Sequence, residues 1–433
     1  MLPRRRIQLV LSLAFGLCFT SLLSAGNWPS WRGPQGNGIS SEKGLPTTWS
    51  DSKNVAWKID LPGQGGATPA VWGDHIFVTA VDGNELVLLA FNNGGKQLWR
   101  EVVGTGDKKV RGDEGNAASP SPVTDGKHVW TMMANGSLGC YTMGGKKVWW
   151  QNLQETFGRF RIAFGMTSTP VLHDGRLFLQ LIHGDGNAAT QEALVAALDA
   201  GTGKELWRQD RVTNASSENE HSYASPILYQ DAKQEYLISH GADFAIAHNL
   251  KDGKEIWRLG GLNPQDDPKR RYHPTLRFVA SPAAVPGMII VPTAKNGPVF
   301  AIKGDGKGDL TGSDSVHHWI RPQNTPDVPS PLIHDGLVYL CRENGNLICM
   351  EADSGKELYE EKTNRIRHRS SPVLADGYIY LTGRDGKVSV VKAGRDFELV
   401  AQNEIGDDVS ASLALANGTI YIRSYNHLWA IRK

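Results

Sequence analysis

The chain has 433 residues, a net charge of +1 and a charged fraction of 21%. Neither sign dominates, which argues against nucleic acid or a strongly acidic partner. The 48 glycines and 13 tryptophans imply many tight turns, and so many short strands rather than long helices.

Residues 1–26 stand apart. Arg4, Arg5 and Arg6 precede an apolar run from Ile7 to Leu23, closed by the small residues Ser24, Ala25 and Gly26. This is the layout of a secretory signal peptide, with cleavage expected after Ala25 or Gly26. The alternative is an uncleaved anchor, because the run is about long enough to span a bilayer if stretched. Cys18 lacks the preceding small residues of a lipoprotein signal, so no lipid is expected there. The mature chain is thus expected in the periplasm or secreted, with no membrane-spanning segment. Residues 27–54 read as an N-terminal extension and 55–433 as the folded body. After cleavage Cys140, Cys341 and Cys349 remain, too few for a disulfide scaffold, and they read as free buried cysteines.

Along the body one unit recurs, a small residue and a proline before an apolar strand. It stands at Ala67-Thr68-Pro69, Pro120-Ser121-Pro122, Ser168-Thr169-Pro170 and Ala224-Ser225-Pro226. It returns at Ala280-Ser281-Pro282, Pro329-Ser330-Pro331 and Ser370-Ser371-Pro372, with Ser410-Ala411-Ser412 as an eighth copy lacking the proline. Spacings of 40 to 56 residues match a four-stranded propeller blade, the architecture of WD40-type repeats. Asp-Gly and Asn-Gly pairs at Asp174-Gly175, Asp335-Gly336, Asp376-Gly377 and Asn417-Gly418 suit hairpin turns, so each unit reads as an antiparallel meander.

The units also end alike, with Gly-Lys-x-x-Trp placing Trp99, Trp149, Trp207 and Trp257, while Trp319 and Tyr359 close the fifth and sixth. A large ring at a fixed place in each unit predicts a contact that seals one blade to the next. The eighth unit stops after Trp429 without its last strand, and the missing strand is found around Trp57, in Asn54 to Ile59. The expected fold is therefore all-β: an eight-bladed β-propeller of four-stranded antiparallel blades, its ring closed by the N-terminal strand so that no sheet edge is left open.

The pattern Ala197-x-Asp199-x-x-Thr202-Gly203-x-x-x-Trp207 resembles the tryptophan-docking motif of the quinoprotein alcohol dehydrogenase-like superfamily, over nearly the whole mature chain. That superfamily holds PQQ-dependent dehydrogenases and BamB-like outer-membrane assembly factors. The opening Trp28-Pro29-Ser30-Trp31-Arg32-Gly33-Pro34, Gly306-Lys307-Gly308-Asp309-Leu310-Thr311-Gly312 and Asp327-Val328-Pro329-Ser330-Pro331-Leu332 resemble the PQQ-like repeat proteins abundant in planctomycete-type bacteria. The resemblance implies a fold shared by enzymes and non-enzymes. For an active member it implies PQQ with calcium, adjacent cysteines over the cofactor, acidic and amide calcium ligands and an aspartate base. No Cys-Cys pair occurs, nor the haem signature Cys-x-x-Cys-His.

Other motifs yield no catalytic or metal residue. Asp305-Gly306-Lys307-Gly308-Asp309 puts a lysine at a calcium-ligand place and reads as a solvated turn. His317 and His318 alternate in a strand and point to opposite faces. The remaining signal is basic and lies in the links between blades. Arg159 and Arg161 precede the third inner strand, Arg277 the fifth, and His368 and Arg369 the seventh, with Asp327 and Asp408 nearby. Links of one topological type emerge on one face, so these seven are the candidate ligand site, for an anionic group held by forked guanidinium donors. The competing reading is ordinary solvated loop charge. The expected function is a binding or scaffold propeller, BamB-like in outer-membrane protein assembly, with protein partners in the envelope or an anionic small molecule or glycan. No cofactor is expected; the alternatives are a PQQ-dependent oxidoreductase and an enzyme acting on carbohydrate or another anionic substrate.

Overall fold

A computed structural model describes residues 26–50, 53–106, 115–190, 192–263 and 274–433. Residues 1–25 of the expected leader, with Cys18, lie outside the described residues, as do Lys269, Arg270, Arg271 and His273 of the fourth link. Among the described residues no helix is long and apolar enough to cross a membrane.

The chain forms eight small antiparallel sheets arranged as an eight-bladed propeller. Blade 6 is typical: Leu332–His334, Leu337–Cys341, Asn346–Glu351 and Glu357–Lys362 run from the channel outwards. Its inner three strands are buried on both faces and its outer strand is half exposed. Blade 8 is built from both chain ends. Val55–Asp60 pairs antiparallel with His427–Ile431, Lys58 facing Trp429. Short parallel strands extend two sheets, Gly308–Asp309 on the outer edge of blade 4 and Ile39–Ser40 on the inner strand of blade 7.

Two devices join the blades. At the rim the outer strand of every blade carries a bulge, which swings the next ring towards the following blade. The bulge leaves Leu98, Val148, Leu206 and Val400 exposed on the outside, and it places His318 outside the ladder. The indole N–H of Trp57, Trp99, Trp149, Trp207 and Trp319 donates to Asn93, Met143, Ala200, Leu250 and Ala352 carbonyls of the next blade, at 2.6 to 3.1 Å. The ring lies on the glycine of that turn: a Cβ on Gly203 would sit 2.8 Å from Trp149. Two joints differ. Trp257 packs edge-on against Tyr236, whose hydroxyl donates to the Gly304 carbonyl at 2.6 Å. Tyr359 meets Phe397 of blade 7, and the Tyr339 hydroxyl accepts the Gly394 N–H at 2.9 Å.

The second device explains the small residue before each proline. The backbone N–H of Thr68 donates to Ser121 Oγ, Ser121 to Thr169, Thr169 to Ser225 and Ser225 to Ser281, at 2.8 to 3.0 Å. The chain of bonds continues through Ser330 and Ser371 to Ser412, each at 2.9 Å. A hydroxyl is the smallest side chain that accepts a neighbour's amide at the crowded axis. The register also shows that Ser412 matches the residue before the proline of the other copies, so Leu413 stands where proline would. At the joint of blades 8 and 1 the bond is missing, and Thr68 Oγ1 is buried without a partner. There the buried Arg423 bridges instead, reaching the carbonyls of Gly63 at 2.8 Å and Thr79 at 3.3 Å.

The described residues 27–50 of the extension are part of the ring. Trp28 pairs with Val71, the Pro29 carbonyl takes the Thr124 N–H at 2.9 Å, and the Gly38 carbonyl takes that of Leu374 at 2.8 Å. The segment thus crosses the channel from blades 1 and 2 to blade 7, on the face where the first hairpin of each blade turns.

Candidate functional site

At that face the segment lies across the channel, and beside it a cavity of about 670 Å3 opens against the strand starts of blades 3, 4 and 5. Arg32 fastens the segment from inside the protein, donating to the carbonyls of Pro331 at 2.6 Å, Pro372 at 2.8 Å and Asn37 at 3.0 Å. Among the described residues no carboxylate answers it, and burial pushes its guanidinium down to about 9. Gly38 must be glycine here, with φ at +81° and Arg32 2.7 Å from where a Cβ would lie. Trp31 lines the channel next to Arg32.

Above this floor lies a cavity of about 250 Å3. Its walls combine ring hydroxyls with Phe164, Tyr223, Val279 and Tyr425, and its charged groups are Arg277, Lys295, Arg367, Arg369, Asp327 and Glu343. Arg277 lies over the Phe164 ring at 4.7 Å and pairs with Glu218 at 2.5 Å. Arg367 pairs with Glu343 at 2.5 Å. Asp327 accepts the Lys295 N–H at 3.0 Å, and the Lys295 ammonium contacts Thr275. The Tyr223 hydroxyl, which burial makes a weaker acid, receives the Phe164 N–H at 3.3 Å.

Of the seven residues proposed from sequence, Arg277, Arg369 and Asp327 meet in this cavity. Arg159 is exposed on the same link as Arg161 and does not line it. Arg161 turns instead to Asp185 at 2.7 Å and Glu192 at 3.7 Å on the long hairpin of blade 3. His368 faces the protein, fully buried, with Nδ1 2.9 Å from the Ile366 carbonyl, and burial lowers its pKa. A neutral imidazole inside a blade is not an anion ligand. Asp408 keeps its exposed side chain off the cavity, while its carbonyl takes the Tyr425 N–H at 2.7 Å.

Sequence reasoning passed over Lys295, Glu343 and Tyr425. They sit on hairpins between the second and third strands of blades 5, 6 and 8, which emerge on the same face as the blade-to-blade links. Counting those hairpins would have found them. Nothing local marked Trp31 as the floor.

The quinone-and-calcium set that the resemblance implies does not fit these residues. Cys140, Cys341 and Cys349 are buried and unpaired in the blades, and burial raises the Cys341 thiol to about 12. The cavity's carboxylates are engaged, Glu343 by Arg367 and Asp327 by a backbone amide. Among the described residues one carboxylate-histidine group, His173 with Asp174 and Glu235, brings its ligand atoms within 4.8 Å. It lies at the face crossed by the 27–38 segment, where His173 and Glu235 bond each other at 3.2 Å.

A family model described as outer membrane protein assembly factor BamB matches residues 38–178, 86–266 and 245–433. Over 201 residues the chain is 26% identical to polyvinylalcohol dehydrogenase of Pseudomonas sp, a match covering 43% of this chain and 29% of that protein. Over 218 residues it is 26% identical to the outer membrane protein assembly factor BamB of Yersinia pestis, covering 41% of this chain and 54% of that one. The matches thus span under a third of the first relative and about half of the second. The fold aligns with the crystal structure of BamB from Moraxella catarrhalis at a TM-score of 0.61 and 13% identity, over 88% of this chain and 97% of that one. Overlapping family matches from residue 38 to the last, on a ring of eight docked blades, make this chain a member of the PQQ-like propeller family described as outer membrane protein assembly factor BamB.

Proposed function

We propose that this protein is an exported binding or scaffold propeller of the cell envelope, BamB-like in serving outer-membrane protein assembly, and that it grips an anionic group of its partner or ligand at the open channel mouth. One observation carries the reading: four cationic side chains, Arg277, Lys295, Arg367 and Arg369, face two carboxylates in one cavity. Forked guanidinium donors on a partly dry wall favour carboxylate, sulfate or phosphate, whether on a protein, a glycan or a small molecule. The name of the Yersinia pestis relative supports a protein partner in assembly. The match to polyvinylalcohol dehydrogenase supports a second reading, a quinoprotein oxidoreductase, against which the cysteine and carboxylate placement weighs.

The test is a quantitative capture from native envelope extract with the mature protein and its Arg277→Ala, Arg369→Ala double variant. The reading expects a partner retained by the first and lost by the second at equal folded amounts. Identical partner sets overturn it, as does dye-linked alcohol oxidation after reconstitution with PQQ and calcium.

A further inference from the structure

The channel mouth lies on one face of the propeller, and the opposite face carries a group that the mouth does not use. His173 ends the inner strand of blade 3 and Asp174 opens the turn after it. Strand alternation alone would send the two side chains to opposite faces. Asp174 instead takes a φ of +47° in the hairpin turn, which carries its carboxylate round to within 3.5 Å of His173 Nε2. The Ala200 N–H fixes that turn, donating to the Gly175 carbonyl at 2.8 Å. From blade 4 Glu235, first residue of the second strand, reaches the same Nε2 at 3.2 Å. Two carboxylates thus converge on one imidazole nitrogen, which has at most one proton to give. Among the described residues neither pairs with a lysine or an arginine. Arg176, which faces His173 in the ladder, turns to the Leu250 carbonyl at 2.8 Å instead. The gathered negative charge has no protein cation to answer it.

We infer that His173, Asp174 and Glu235 bind a divalent transition-metal ion of the zinc type, which clamps blade 3 to blade 4. The spacing fits such an ion. Two ligand atoms about 2.1 Å from a tetrahedral metal stand about 3.4 Å apart, and the two edges that meet at Nε2 measure 3.2 and 3.5 Å. The third edge lies within 4.8 Å and joins two exposed carboxylates, which close it by rotating. The donors narrow the choice of ion. An imidazole nitrogen suits zinc and its neighbours, whereas calcium and magnesium take oxygen ligands. Three protein ligands leave a position for water or a further ligand, and His173 also lines the cavity of about 670 Å3 beside the floor segment. Blade 6 is an internal control. It repeats the dipeptide as His334-Asp335, with Asp335 at a φ of +49°. In the next blade Tyr378 stands where Glu235 would, and among the described residues no third ligand joins the pair. The clamp is independent of the anion grip at the mouth.

The experiment is calorimetric titration of the metal-stripped, tag-free mature chain with zinc, with calcium as the control ion. Saturable binding of a single zinc per chain is expected, with calcium about a hundredfold weaker. His173→Ala, Glu235→Gln and Asp174→Asn each alter one ligand and are expected to weaken zinc by about tenfold or more. Asp174→Asn keeps a residue that suits the hairpin turn, so its loss of zinc cannot be laid to a broken fold. His334→Ala in blade 6 is expected to bind zinc within about twofold of the original. Because the ion joins two blades, zinc is also expected to slow hydrogen exchange in the hairpins 171–181 and 227–241 of the original chain and not of Glu235→Gln. Zinc binding unchanged in the ligand variants, an equal loss in His334→Ala, calcium as tight as zinc, or no saturable zinc binding each overturns the inference. None of these results bears on partner capture at the mouth, and a failed capture leaves the zinc result standing.

Discussion

The two ends of the channel use the same residue type in opposite ways. At the floor end Arg32 is swallowed, its guanidinium bonded to three carbonyls from the floor segment and from blades 6 and 7. At the open end Arg277 rests on an aromatic face with a carboxylate partner and an edge in water. The first arginine ties distant chain segments together, so its charge is a structural expense. The second is tied down just enough to be presented. What separates staple from receptor is the acceptor: fixed carbonyls that nothing can displace, against a carboxylate that a ligand can compete with.

The largest effect that follows comes from removing the floor end altogether. Deleting residues 27–60 takes away the floor and the outer strand of blade 8, and circular dichroism should show no cooperative unfolding transition. A deletion variant melting like the intact chain would mean that the two ends are independent.

Acid should act next most strongly, on the wall between the ends. Burial pushes His183 and His248 down to about 4 and His240 to about 3. In the unfolded chain they titrate near 6.5, so below that pH the unfolded state holds protons that the folded state refuses. Stability should therefore be full above pH 6.5 and fall towards pH 4, by roughly 1.4 kcal/mol per pH unit for each imidazole. Glu220, whose pKa burial raises, offsets a little of this. Since all three histidines belong to blades 3 and 4, hydrogen exchange at pH 5 should open those blades first; uniform opening would break the assignment.

Single substitutions at the two ends sharpen the contrast. Arg32→Met should cost about 2–4 kcal/mol in denaturant unfolding, because buried carbonyls lose their donor, whereas Arg277→Ala should stay within about 0.5 kcal/mol. Comparable losses at both would erase the distinction. The smallest effect separates two ring positions. Ser225→Ala should cost about 1–3 kcal/mol by orphaning the Thr169 amide. Thr68→Val removes a hydroxyl that serves no amide and should be neutral or slightly stabilising.

How much of this was legible in the chain depended on whether the cause was local. The blades were, because Ser-Pro starts, Asp-Gly turns and docking rings repeat at fixed offsets. Ring closure was too, since the strand missing after Trp429 is present around Trp57. The site was legible only to the level of a face. Arg277, Arg369 and Asp327 do reach one cavity, but whether a side chain turns inwards is decided by packing. His368 is held by the Ile366 carbonyl, and Arg161 is drawn off by Asp185, which lies on another element. The floor was illegible for the same reason. Trp28 to Gly38 carries no strand period, and its path is set by carbonyls of blades 6 and 7 at the far end of the chain.

The shared eighth blade sets a clock on folding. Val55–Asp60 is made early, yet its only ladder partner among the described residues, His427–Ile431, is the last of the described strands. Until the final residues are available the first outer strand has no place to pair, and blades 1 and 7 flank an open gap. Such late, long-range pairing slows folding and leaves strand edges exposed meanwhile. A nascent chain of this design cannot finish as it emerges, blade by blade. It spends an interval as an incomplete arc, and in that interval it depends on whatever in its compartment keeps open sheet edges apart.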